Sequence, residues 1–220
     1  MHVRDDNNND IASIRLPDSP MAQAAVELIR DAHSTLMLNH SKRVFLFATL
    51  IGEQRQVPFD EELLYVGALF HRVGLTARYR RSQNRFEIDG ATAAREFLKG
   101  FGCSHDDAQE VWDAIALHST PGIPEHKSHL VALIAAGVDT DLYGRHRNAI
   151  SPAELTQILQ AFPREPGFNA KLLNAMAAGL KHRPHTAFGT VNADVLERLD
   201  KQYKRANFCT LLLETRWPFE

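Results

Sequence analysis

Three apolar stretches of the chain place histidine or aspartate at or near their ends. These candidate ligands are His40, His71, Asp139 and Asp141. Imidazole and carboxylate groups together suit zinc, iron or manganese. One such residue alone is usually a capped or hydrogen-bonded structural residue, so only their combination indicates a site.

The spacing of apolar residues predicts helices along the whole chain. The expected helices run over about 20–34, from near 36, from near 58 to 71, from a cap at Asp89 to 100, over 105–118, from 129 to near 139–141, from 151, and over 168–182 and 191–205. Residues 76–88 contain four arginines and no helical period, which predicts an exposed loop. Because no alternating strand pattern is present, the predicted fold class is all-α, in a single domain.

Composition excludes several classes of protein. The formal charge is only -2, so neither nucleic acid nor an anionic membrane is favoured as a partner, and a small molecule is expected. Two distant cysteines predict free thiols, and a polar N-terminus without an apolar segment predicts a cytoplasmic protein. Residues 1–18 are expected to form a disordered polar tail. The apolar end of segment 191–220 either packs back on the domain or buries itself in a homo-oligomer.

The order of the candidate ligands resembles a known motif. His40, then His71-Arg72, then Asp141 resembles the H…HD…D pattern of the HD superfamily of metal-dependent hydrolases. Segments 85–91 and 111–123 resemble the cyanamide hydratase-like branch of that superfamily. The resemblance covers about residues 35–145. It implies an all-α, single-domain HD-type helical bundle over 19–190 with a central metal or ligand pocket.

The resemblance also implies roles for individual residues. The metal ligands would be His40, His71 and Asp141, with Asp139 as the less favoured alternative to Asp141. The metal would be zinc, or else iron or manganese, and it would activate a water molecule. His118 would be the catalytic proton shuttle or a partner of the ligands. The implied pocket residues are Arg72, Arg43, Glu87 and Thr120.

Arg72 departs from the family pattern, which has aspartate at this position. A guanidinium has only donors and cannot bind a cation. At 4 Å and an effective dielectric constant of ~20, its repulsion of a charge beside it is about 4 kcal/mol. Arg72 could point away and leave three ligands, or replace the metal and pair with Asp141.

Three functions follow as alternatives. The first is a metal-dependent hydratase or hydrolase acting on a small nitrile-like or other nitrogen compound. The second is a degenerate HD protein that binds a small ligand, or serves regulation, without metal. The third, a nucleotide phosphohydrolase, rests on the arginines of the 76–88 loop. Arg43, beside His40, either contacts a substrate anion or belongs to a solvated helix face, which is the more usual case.

Overall fold

The computed structural model describes residues 10–218, and within them the chain is all-helical, which confirms the predicted fold class. Isolated 3-10 turns connect several of the helices. The ten α-helices of this range are α1 (Pro20–Ala32), α2 (Thr35–Arg55), α3 (Glu61–Phe70), α4 (Phe86–Gly100), α5 (His105–Leu117), α6 (His129–Tyr143), α7 (Pro152–Ala161), α8 (Phe168–Leu180), α9 (Asn192–Leu199) and α10 (Phe208–Glu214).

Helix α2 runs through the centre of the domain. The Ser34 side chain caps its start by accepting a hydrogen bond from the Met37 N–H, and Gln56 ends it in the left-handed conformation. Most of its side chains between these ends are buried, including an unbroken apolar run over residues 44–48. The middle of α2 is buried on all sides by neighbouring helices, and the helix holds His40 completely buried in the interior.

Helix α6 packs closely along α2. A Cβ atom added to Gly137 would collide with the Val44 carbonyl oxygen, so glycine at this position allows the two backbones to approach. The helix continues to Tyr143 and ends at Gly144, whose φ is 68°. The helix was predicted to end near residues 139–141, and it runs slightly further because the left-handed Gly144, rather than the aspartates, stops it. Asp141 is therefore held within the last helical turn.

Helix α4 begins earlier than predicted. It starts at Phe86, after Arg85, so Asp89 lies in the first turn and is not the N-cap. The Asp89 carboxylate instead accepts hydrogen bonds from the buried Arg183 guanidinium and from Ser82 Oγ. Phe86 and Glu87 in the first turn are completely buried. The polar residues around them favour the prediction of an exposed loop there.

The apolar interior consists of two clusters. The larger cluster is built from the inner faces of helices α1 to α7. The smaller one joins the start of α2 and of α4 to helices α8 and α9, and it includes Phe86, Phe168 and Met176. These three side chains contact the candidate site residues. Helices α8 and α9 therefore complete the interior beside the site.

The two ends of the chain differ from the predictions. Of the predicted tail, residues 1–9 lie outside the described range, whereas Ala12 and Ile14 are buried against the core. Near the other end, α9 stops at Leu199, and the additional helix α10 exposes Leu211, Leu212 and Leu213. Burial of this apolar segment in a homo-oligomer stays a prediction. Within residues 10–218, no helix has both the length and the apolar character needed to cross a membrane.

Candidate functional site

Asp141 is the centre of a buried network of ion pairs. Arg43 binds it with two parallel hydrogen bonds, from Nε to Oδ1 at 2.8 Å and from Nη2 to Oδ2 at 2.9 Å. His40 Nδ1 donates to Oδ2 at 2.6 Å. Arg43 is completely buried, so the interpretation of this residue as part of a solvated face was wrong. Helix α2 supplies both partners, which are three residues apart and lie on one helix face.

A second arginine reaches the same carboxylate from the segment before α8. Arg164 Nη1 donates to Asp141 Oδ1 at 3.0 Å and to the Asp141 carbonyl oxygen. The Phe168 ring lies under both guanidinium groups, with its centroid 4.9 Å from Cζ of Arg43 and 4.1 Å from Cζ of Arg164. The cation–π contacts hold the two cations close to one carboxylate.

His71 faces His40 across the site. Its Nδ1 donates to the Ala68 carbonyl oxygen at 2.7 Å, and its Nε2 lies 3.2 Å from His40 Nε2. Both Nδ1 atoms act as donors, so each neutral ring would present an Nε2 lone pair to the other. A shared proton or a bound cation would relieve that repulsion.

Arg72 is buried, with 2% of its surface exposed, but does not pair with Asp141 as one sequence hypothesis proposed. Among the described residues the only hydrogen bond of its guanidinium runs from Nη1 to Met176 Sδ at 3.8 Å, and its buried Nε has no acceptor. Its Cζ lies 5.6 Å from the Phe86 ring centroid. The Asp141 carboxylate, which that hypothesis paired with Arg72, instead binds Arg43 and Arg164.

His118 lies directly after α5, next to His71, with 5.1 Å between the ring centroids. Its Nδ1 donates to the Ile115 carbonyl oxygen at 2.6 Å, and its buried Nε2 has no partner among the described residues. Glu87 is also buried near His118, but Arg85, Ser119 and Asn192 satisfy its carboxylate. The structure thus brings His118 to the site while engaging Glu87 in a separate network.

Two predicted residues take no part in these contacts. Thr120 is half-buried in the turn after α5, and within residues 10–218 its side chain makes no hydrogen bond. Asp139, the alternative ligand, points away and pairs with Arg145 at 2.8 Å. A surface pocket of about 630 Å³ that includes Asp60 and Lys127 lies elsewhere and contains no predicted site residue.

Sequence reasoning missed several residues of the site. The missed residues are His33, Arg164, Phe168 and Met176. His33 ends α1, and the charge of Arg72 acts on it. The other three lie beyond the stretch that carried the motif resemblance. A signal was available for one of them, because the basic Arg164 lies four residues before the start of α8.

Burial sets the protonation of the histidines and arginine. It lowers the pKa of His118 to about 3, with Arg72 adding to the effect, and lowers that of His33 to about 4. Burial also lowers the pKa values of His40 and His71. The pKa of Arg72 falls to about 10 through burial, so this residue remains a cation at neutral pH.

The pKa values of the two buried carboxyl groups, Asp141 and Glu87, are lowered in spite of their burial. For Asp141 and Glu87, burial acts to raise the pKa, but hydrogen bonds and charges outweigh it. The deciding partners are His40 and Arg43 for Asp141, and Arg85 for Glu87. Both pKa values therefore lie below the ordinary value, and both groups are carboxylates at neutral pH.

The donor set does not fit the metal that the motif implies. A carboxylate has about four lone-pair directions, and Asp141 uses them on Arg43 twice, Arg164 and His40. Position 72 provides a cation in place of a ligand. Only His40 and His71 present free nitrogen lone pairs toward each other. Across residues 10–218, no group of three or more histidine, cysteine, aspartate or glutamate side chains is arranged to hold a metal ion.

Comparison with known proteins supports the motif. The sequence model of the HD domain matches residues 37–160, which is more than half of the chain. A search of curated proteins found no match. HD domains generally bind divalent metals, and the match indicates a metal-dependent hydrolase-type function at the level of the family. The matched range includes His40, His71, His118 and Asp141, and the chain therefore belongs to the HD domain family.

Proposed function

We propose that this HD-domain protein binds a small ligand in its buried site without a metal ion. The observation that carries the proposal is the saturation of Asp141 by Arg43, Arg164 and His40. A metal ion would have to displace at least one of these charge-assisted hydrogen bonds, which are stronger than neutral ones. The resulting site is a remnant of a hydrolase site whose aspartate is already paired with protein cations.

Arg72 supports the same function. Its guanidinium occupies the position where the family has an aspartate ligand, and burial leaves it positively charged. At 4 Å, the repulsion of about 4 kcal/mol per unit charge corresponds to roughly three orders of magnitude in metal affinity. A site with this cation is better suited to an electronegative ligand than to zinc.

Metal analysis tests the proposal directly. The purified protein, freed of chelator, is analysed by elemental mass spectrometry beside an Arg72→Asp variant. We expect the natural protein to hold far less than one metal ion per chain, and the variant to hold more because it regains a carboxylate ligand. Near-stoichiometric zinc, iron or manganese in the natural protein would overturn the proposal. Arg81→Gln, in the exposed loop, serves as the control for charge change alone.

The second candidate is a metal-dependent hydratase that acts on a small nitrile-like or related nitrogen compound. The approach of His40 Nε2 to His71 Nε2 at 3.2 Å favours it, because two converging lone pairs are a partial cation site. Full metal occupancy together with turnover of cyanamide would support this candidate. Turnover of nucleotides in the same assay would instead support a phosphohydrolase.

A further inference from the structure

Arg72 is a buried cation without an ion-pair partner among the described residues. Within residues 10–218, no carboxylate lies within ion-pair distance of its guanidinium, the charges of Glu87 and Asp141 act on it only over a longer distance, and its Nε has no acceptor. The sulfur atom of Met176 at 3.8 Å is only a weak acceptor. A buried cation without a hydrogen-bonded anion is costly, which favours an external anionic partner.

His118 offers the complementary group. Its Nδ1 hydrogen is committed to the Ile115 carbonyl oxygen, so the neutral ring presents a lone pair at Nε2. That Nε2 atom is buried and unpartnered among the described residues. Only 4% of the His118 surface is exposed. Nε2 of His118 is therefore a hydrogen-bond acceptor without a donor among the described residues.

The Phe86 ring borders both groups, and the charge of Arg72 acts on His118. The centroid of the Phe86 ring lies 5.6 Å from Cζ of Arg72 and 5.8 Å from the centroid of His118. The His71 ring, next to Arg72 in the chain, lies 5.1 Å from the His118 ring. A donor cation and an acceptor nitrogen thus border one apolar ring in the interior.

We propose that Arg72 and His118 together bind a small oxyanion that keeps one proton at neutral pH, such as hydrogen phosphate or hydrogen carbonate. Arg72 donates to the charged oxygens, and His118 Nε2 accepts the hydrogen bond from the hydroxyl group of the ligand. This inference rests on the proposed metal-free function and names the class of its ligand. The near-complete burial of both residues restricts the ligand to a few non-hydrogen atoms.

The acceptor atom Nε2 of His118 should make the site select phosphate over sulfate. Inorganic phosphate carries at least one proton in both of its forms at neutral pH, whereas sulfate carries none. A sulfate oxygen opposite the neutral His118 ring would place two acceptors against each other. The ring could donate from Nε2 only by losing its bond to Ile115 or by taking up a proton, which its burial beside the Arg72 cation disfavours. Arg72 alone would bind both anions. Discrimination between them therefore reports on His118.

Isothermal titration calorimetry of the full chain with phosphate and with sulfate, at pH 7.5 and equal ionic strength, tests the proposal. We expect phosphate to bind at least about tenfold more tightly than sulfate, since one lost hydrogen bond to a charged group has about that effect. Equal affinities would overturn the assignment of a protonated ligand. Absence of binding by both anions would overturn the site itself.

Two variants separate the roles of the residues. Arg72→Gln should weaken phosphate binding by at least about tenfold, and His118→Phe should reduce the preference over sulfate to less than about threefold. Arg81→Gln removes an exposed arginine and should leave both affinities unchanged. Circular dichroism and melting temperature confirm that each variant is folded. The comparison of the two anions on the natural protein needs no variant and stands if one misfolds.

The outcome also distinguishes this inference from the proposed function. The titrations are repeated after dialysis against a chelator, with metal content measured on the same sample. Phosphate binding that disappears with removal of bound metal would overturn both. A metal-free protein that binds neither anion would overturn the oxyanion inference alone. Chelator-resistant binding that favours phosphate supports both.

Discussion

Arg43 and Asp141 form a two-point ion pair in the interior, with hydrogen bonds of 2.8 and 2.9 Å between residues 98 positions apart in the chain. Side chains of both residues are at most 1% exposed. The remaining donor of Arg43, Nη1, reaches the carbonyl oxygens of Phe162 and Pro163 at 3.1 Å. One guanidinium thus joins α2, the end of α6 and the segment before α8.

Removal of this guanidinium should destabilise the fold. Arg43→Met leaves Asp141 buried with less compensation, and we expect a loss of about 3 kcal/mol in the free energy of unfolding. Urea denaturation followed by circular dichroism measures it. Arg205→Met, which breaks an exposed pair with Asp194, is the control and should leave the midpoint unchanged.

A double variant tests whether the loss comes from the stranded charge. Arg43→Met combined with Asp141→Leu replaces the pair by apolar groups, and it should recover part of the stability that Arg43→Met loses. Stability below that of the single variant would show that Asp141 acts mainly through Arg164 and His40. The same urea series provides the comparison.

Acid should weaken the fold through the buried histidines. The pKa of His118 is about 3 in the folded chain against 6.5 ordinarily. Below pH 6.5 the unfolded chain therefore binds a proton at His118 that the folded chain does not bind. The free energy of unfolding decreases as the pH is lowered, until the pKa of the folded state is reached. Between pH 7.5 and 5.0, we expect His118 to account for a loss of about 2 kcal/mol.

Urea unfolding at pH 7.5 and 5.0 measures this loss. His118→Phe should reduce the difference between the two pH values, while His105→Gln, on the exposed start of α5, should not. His33, whose pKa burial lowers to about 4, acts in the same direction. An unchanged pH dependence in His118→Phe would contradict the neutral, buried state of this ring.

The close approach of α2 and α6 offers a packing test. Gly137→Ala would place a Cβ atom against the Val44 carbonyl oxygen and the Ala48 side chain, which should cost about 1–3 kcal/mol. Gly100→Ala meets no atom within 4 Å and should be neutral or slightly stabilising. Thermal unfolding of both variants gives the comparison. Equal melting temperatures would show that the helices can separate without cost.

Local signals in the sequence determined the helices and their class. The capping box of Ser151 and Glu154 starts α7 as predicted, because both hydrogen bonds form between residues three apart. The apolar spacing likewise identified α2 and α3 and placed His40 and His71 in the interior. Such features depend only on neighbouring residues, which is why a single sequence reveals them.

The tertiary structure alone decided the partners within the site. Asp141 could be assigned as a candidate from the motif, but its neutralisation by Arg43 and Arg164, and not by Arg72, follows from how α6 packs on α2 and where the chain turns before α8. A buried carboxylate accepts whichever cation the packing brings within 3 Å, and no local pattern encodes that distance. For the same reason the sequence showed Arg72 as a departure from the motif, and only the fold left it charged, buried and unpartnered among the described residues.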